Sequence, residues 1–127
     1  MSLPQLNVHR HDEQSRALIT LAGEIDLETA PSVSAAVREC LYGGMRAIDV
    51  DLTAVTFCDV SGLNAFLHAS AQATAAGGAL RLHHPPPELR RILTLTGCTF
   101  LLSVPPARRT TGTPAPQRSA PLSAGAR

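Results

Sequence analysis

Asp59 and Ser61 stand where a strand-like run gives way to a helix-like one, within Phe57-Cys58-Asp59-Val60-Ser61-Gly62-Leu63. The first turn of a helix presents backbone N–H groups without intrahelical partners and the positive end of the dipole, so it favours a carboxylate, a hydroxyl oxygen or a phosphate. Asp59 fits an N-cap, with Ser61 one or two residues inside. A hydroxyl held there can be a plain cap, a nucleophile or a phosphorylation site. Asp and Ser are so common at helix starts that position alone does not choose among the three.

Other residues invite chemistry and are explained without it. Asp49 and Asp51 share one face of an alternating stretch, as a metal site or an acid–base pair would require. No His, Asn or third carboxylate stands near them in sequence, and strand alternation accounts for both. His83-His84 has the composition of a metal pair, but adjacent side chains on an extended chain point opposite ways, which leaves two exposed loop histidines as the plainer reading. Cys40, Cys58 and Cys98 are far apart and lack any C-x-x-C spacing, so they read as small buried apolar residues in a reducing compartment. Arg90-Arg91 fits a solvated helix face better than a DNA contact. A nucleophilic Ser61 would have to use His68 on the following helix, which has no evident orienting acid and no oxyanion-hole motif beside it. No metal, no cofactor and no enzymatic activity are expected.

The elements that position Asp59 and Ser61 follow from periodicity. Residues 46–52 alternate, with Ile48, Val50 and Leu52 on one face and Ala47, Asp49 and Asp51 on the other, which is the pattern of a half-buried strand. From Leu63 the apolar beat becomes Leu63, Phe66, Leu67, Ser70 and Thr74, the spacing of an amphipathic helix over about 60–76 that stops at Gly77-Gly78. Upstream, 5–10 and 16–22 read as an antiparallel hairpin around His11-Asp12-Glu13-Gln14-Ser15. Gly23-Glu24-Ile25-Asp26 closes that strand and leads into a loop. Ala30-Pro31 then opens a helix whose stripe is Val33, Ala36, Val37, Cys40 and Leu41 and whose end is Gly43-Gly44. Downstream, 79–83 alternates as a fourth strand, Pro87 to Gly97 frames a third helix, and Phe100-Leu101-Leu102-Ser103-Val104 suggests a last short strand. A strand with one charged face is not covered by helices on both sides, so one face of the sheet should meet solvent or a partner.

The whole chain sets the outer bounds. With 127 residues it has room for one sizeable core. Its 11 basic residues are all Arg, against 10 acids. The missing Lys removes a P-loop nucleotide hydrolase, a Schiff-base enzyme and a phospho-receiver domain, all of which use an ammonium group. A net charge of +1 gives no field to gather nucleic acid. No apolar run approaches the roughly 20 residues that span a bilayer, and the N-terminus has no signal-peptide pattern, so a cytoplasmic protein without membrane partners is expected. Beyond residue 104 the composition turns to Pro, Ala, Thr, Ser, Gly and Arg, a tail over 105–127 expected to be disordered because it cannot bury enough apolar surface.

The element order, together with Gly23-Glu24-Ile25-Asp26, Asp51 to Leu63 and Pro87-Glu88-Leu89-Arg90-Arg91-Ile92-Leu93-Thr94-Leu95-Thr96-Gly97, closely resembles the STAS domain of bacterial anti-sigma factor antagonists. The resemblance covers nearly all of 5–104 and implies a STAS domain over 1–104. The fold it implies is α/β, a mixed sheet of about five strands with some three helices packed mainly on one face, without catalytic activity. In that family the serine before Gly-Leu, here Ser61, is phosphorylated by an anti-sigma factor that is an ATP-dependent serine protein kinase. The unphosphorylated antagonist binds that anti-sigma factor and releases a sigma factor, and a phosphatase reverses the modification. The resemblance places partner contacts at Asp26, Asp59, Val60, Gly62, Leu63 and Asn64. Two departures stand out: Val60 takes a position where many relatives carry Ser or Thr, and Cys58 replaces a larger apolar residue. They leave open a non-switching scaffold subunit of a larger signalling or lipid-transport assembly.

Overall fold

In the computed structural model, which describes residues 6–102, the alternating stretches join into one four-stranded sheet in the order β1-β2-β3-β4. Strands β1 (Leu6–Glu13) and β2 (Arg16–Ile25) form the antiparallel hairpin, turning at Gln14-Ser15 with Gln14 at a φ of 59°. Helix α1 (Ala30–Tyr42) crosses back to β3 (Ala47–Cys58), which runs parallel to β2, and α2 (Val60–Ala75) crosses to β4 (Ala79–His83), parallel to β3. Helix α3 (Pro87–Thr96) and a 3-10 turn, Thr99–Leu101, complete the described chain.

Strand alternation puts the large apolar side chains on one face. Ile19 and Leu21 of β2, Ile48, Val50 and Leu52 of β3, and Leu80 and Leu82 of β4 are all buried. Val33, Val37 and Cys40 of α1, Phe66 and Ala69 of α2, and Leu89 and Leu93 of α3 join the same cluster. The helices therefore lie on one face, and no polar or charged residue among those described is buried with them. On the other face Leu18 remains 38 % exposed, and Asp49 and Asp51 are only half-buried. That open face is what the charged side of 46–52 requires.

Three expectations need correction. The third strand runs to Cys58 rather than Leu52, because buried positions beyond Leu52 fall at Val55 and Cys58, a spacing of three that erases the alternating signal. Its pairing with β2 carries register irregularities between Thr20 and Ala22 and between Gly23 and Glu24, so the chain continues as a strand while its faces slip. On α2 the inward face is Ala65, Ala69 and Ala73 beside Leu63 and Phe66, while Thr74 is exposed and Ser70 half-buried. These small residues form the contact face of a helix packed against both a sheet and α1.

Among the described residues the sheet has four strands, and a 3-10 turn stands over the first part of the expected fifth strand. Gly97 caps α3 in the left-handed region at φ 75°, and the Cys98 amide donates to the Leu93 carbonyl at 2.8 Å. The chain then turns to bury Leu101, and Leu102 forms a parallel bridge to Leu82 of β4. Residues 1–5 of the expected 1–104 domain, residues 103–104 of the expected strand and the expected disordered tail of 105–127 lie outside the described residues. Among those described, no helix is long and apolar enough to cross a membrane.

Candidate functional site

The parallel strands β2 and β3 end side by side, and the Asp59 amide donates to the Ile25 carbonyl at 3.2 Å to tie the two ends together. Asp59 is extended (φ −100°, ψ −166°) and is the N-cap of α2. Its Oδ1 accepts from the Ser61 amide at 2.9 Å and from the Gly62 amide at 3.4 Å. Its carbonyl takes the Gly62 and Leu63 amides at 3.1 and 3.2 Å. The carboxylate thus occupies the helix mouth, as an N-cap should. Oδ2 makes no hydrogen bond among the described residues.

Gly62 is required by close approach. A Cβ built on it would stand 2.5 Å from Cys58 Sγ and 2.8 Å from Ile25 Cγ2, both of them buried side chains. Leu63 is also buried. The expected partner contacts at Gly62 and Leu63 therefore meet a different geometry: both turn inward, seating the first turn of α2 on the ends of β2 and β3. Val60, 57 % exposed, together with exposed Asn64 and half-buried Ser61 forms the outward surface.

The β2–α1 loop supplies a second acid beside this mouth. Asp26 Oδ1 accepts from the Glu28 and Thr29 amides at 3.0 and 3.1 Å, while Thr29 Oγ1 accepts from the Asp26 amide at 2.9 Å and donates to the Glu24 carbonyl at 2.8 Å. The loop is an Asx turn feeding α1. Asp26, like Asp59, spends one oxygen on backbone and leaves Oδ2 without a partner among the described residues.

Between α1 and α2 runs an open groove of about 450 Å³, lined by Leu27, Ser34 and Arg38 on one side and by Ser61, Asn64 and His68 on the other. Ser61 Oγ makes no hydrogen bond among the described residues, so no base there is engaged with it. Cys58, beneath the mouth, is no alternative nucleophile: burial, reinforced by the nearby Asp59 charge, pushes its thiol up to about 12. The groove offers an accessible hydroxyl, the Arg38 guanidinium, the His68 imidazole and an apolar bed.

The resemblance assigns Asp26, Asp59, Val60, Ser61 and Asn64 to a partner surface, and the structure sets them around the ends of β2 and β3 and the first turn of α2. Sequence reasoning missed Arg38, Ser34 and Leu27 as neighbours of Ser61. The exposed polar flank of α1 was visible in the 30–42 pattern, but only packing of α1 on α2 aims it at Ser61. It also missed that Asp49 has a His beside it: His83 Nε2 lies 2.9 Å from Asp49 Oδ1 across the β3–β4 pair, and Arg16 Nη1 donates to Oδ2 at 2.6 Å. Burial pushes the Asp49 carboxyl up, but the hydrogen bonds from His83 and Arg16 outweigh it and hold the group below the usual carboxylate range. Among the described residues no group of three or more His, Cys, Asp or Glu is placed to hold a metal ion.

Comparison with known proteins identifies the fold and the family. The family model described as "Mlab, STAS domain" matches residues 8–103. The crystal structure of an anti-sigma factor antagonist from Mycobacterium paratuberculosis superposes with a TM-score of 0.69 at 25 % identity, covering 84 % of this chain and 91 % of that one. The Bacillus cell fate determinant SpoIIAA in its phosphorylated form gives 0.63 at 18 % identity, with 88 % and 93 % covered. The anti-sigma factor antagonist SpoIIAA in its unphosphorylated form gives 0.61 at 21 %, with 70 % and 83 % covered. The two SpoIIAA likenesses speak to the fold.

Proposed function

The chain belongs to the STAS domain family, and on that premise we propose that it is an anti-sigma factor antagonist switched by phosphorylation of Ser61. The observation that carries this reading is the Ser61 hydroxyl, held in an open groove at a helix mouth beside two acids that each keep one uncommitted oxygen. The similarity to the Mycobacterium antagonist supports it.

The unphosphorylated protein docks on an anti-sigma factor of the serine protein kinase type through Asp26, Asp59, Val60 and Asn64, around Ser61, and so frees a sigma factor. Within that complex the γ-phosphoryl group of ATP passes to Ser61 Oγ. The new O–P bond forms as the β–γ bridge breaks, ADP leaves, and the hydroxyl proton goes to a base of the kinase. The modification adds about 1.5 to 2 negative charges at neutral pH. A partner already adapted to the acids at this mouth then faces a further like charge it must desolvate. A hundredfold loss of affinity needs only about 2.7 kcal/mol, a modest demand for one introduced charge. A separate phosphatase hydrolyses phospho-Ser61 and restores the binding form.

Isothermal titration of the anti-sigma partner against the wild-type protein, Ser61→Ala and Ser61→Asp tests the reading. The alanine protein should bind like the unmodified wild type and resist phosphorylation, and the aspartate protein should bind more weakly. A second reading is favoured by Val60 where many relatives carry a hydroxyl, and by the Mlab name of the matching family model. In it the chain is a non-switching scaffold subunit of a larger signalling or lipid-transport assembly, docking through the same surface. Equal affinity of the partner for Ser61→Ala and Ser61→Asp would select it.

A further inference from the structure

The ready-made anion site at a helix start is already taken here. Asp59 Oδ1 holds the Ser61 and Gly62 amides, and the Asp59 carbonyl holds Gly62 and Leu63. A phosphate on Ser61 cannot collect those donors without evicting the cap, and the Asp59 carboxylate repels it. Its counter-charge has to come from elsewhere.

The charged or titratable groups on the loop, the cap and the two helices around Ser61 are Glu24 at the end of β2, Asp26 and Glu28 in the loop, Asp59 at the cap, Arg38, Glu39 and Tyr42 on α1, and His68 on α2. Only Arg38 and His68 line the groove with Ser61. Both are exposed, and neither makes an ion pair or side-chain hydrogen bond among the described residues. His68 lies seven residues beyond Ser61, two turns or about 10 Å along the axis, and helical side chains lean toward the N-terminus, which brings the imidazole back along the groove. Arg38 reaches in from the opposite wall with a permanently charged fork suited to phosphate.

Resting on the reading that Ser61 is the phosphoacceptor, we infer that phospho-Ser61 is drawn across the groove by Arg38 and His68, so that phosphorylation fills the docking groove as well as charging its rim. The protein then carries its own competitor for the partner. The acids on the loop side push in the same direction as Arg38 pulls.

The test uses the full chain with phosphoserine incorporated at position 61 during synthesis, so that no kinase is needed. Phosphorus NMR followed against pH reads the second ionisation of the phosphate, which lies near pH 6 in an unstructured peptide. In the native background its midpoint should fall about 0.5 pH unit below that of the Arg38→Gln/His68→Gln protein, since a nearby cation favours the dianion. Arg46→Gln, at the far end of β3 from Ser61, removes the same charge as Arg38→Gln and should leave the midpoint unmoved. Coincident midpoints in the native and double-variant proteins would overturn the inference, as would an equal change with Arg46→Gln. If the midpoint moves as expected while the partner binds every Ser61 form equally, the internal clamp stands and the switch proposed above falls.

Discussion

On the open face of the sheet, Asp49 is answered twice, by Arg16 at 2.6 Å and by His83 at 2.9 Å. At the mouth of α2 the same residue types are present and left unpaired: Asp59 is engaged through one oxygen by backbone amides, while Arg38 and His68 have no carboxylate within 4 Å among the described residues. The first arrangement is closed, since each Asp49 oxygen has a partner on a neighbouring strand. The second is open, with an accessible hydroxyl between acids that keep one oxygen free and an Arg38 and His68 that hold no carboxylate among the described residues. Similar composition thus does different work in the two places. What separates a structural cluster from a binding surface here is how much of its hydrogen-bonding and charge capacity is already used.

The comparison can be broken most forcefully at Gly62, where an added methyl group must displace Cys58 and Ile25. Gly62→Ala should lose about 2 kcal/mol in urea denaturation, as overpacking of a buried contact does. A neutral result would mean the mouth is loosely seated and its geometry no guide to function. Asp59 comes next. Asp59→Ala should lose about 1 kcal/mol and Asp59→Asn much less, because the amide oxygen can still accept from the helix amides. Equal losses would assign the charge, rather than the cap, to stability.

The closed cluster makes a smaller prediction with a definite direction. Asp49 titrates below its ordinary value in the folded protein, so its stabilising effect is complete above the ordinary carboxylate range and disappears as pH falls through the depressed folded value. Asp49→Asn should therefore cost about 0.5 kcal/mol at neutral pH and nothing once both states are protonated, well below pH 4. Urea titrations at the two pH values check this, and a loss that grew toward acid would reverse the assignment. Ser61→Ala should alter stability least, by under about 0.5 kcal/mol, since Asp59 binds the Ser61 amide and not its hydroxyl. A larger loss would make Ser61 part of the cap and close the open site.

Much of this contrast was legible in the sequence, and what was not has a physical reason. Asp59 as cap, Ser61 just inside α2, and the solvent-facing side of 46–52 all follow from local periodicity and capping rules. The Asp49–His83–Arg16 cluster joins three strands and depends on register, which alternation alone does not state. Arg38 faces Ser61 only because two helices pack side by side. The second half of β3 was hidden by the slip in its buried spacing at Val55 and Cys58, and Phe100 to Leu102 looked like a strand although one buried residue, Leu101, needed only a turn to reach the core. The inward orientation of Gly62 and Leu63 came from the same blind spot, since a motif does not state which of its residues faces the interior.

The account turns on one oxygen atom. Incubating the protein with its anti-sigma partner and ATP, mapping phosphate by mass spectrometry, and titrating both forms against that partner measures it directly. The account predicts a single phosphate on Ser61 and an affinity about a hundredfold weaker once it is there. Phosphate absent from Ser61 while the kinase is active, or unchanged affinity when it is present, would contradict it.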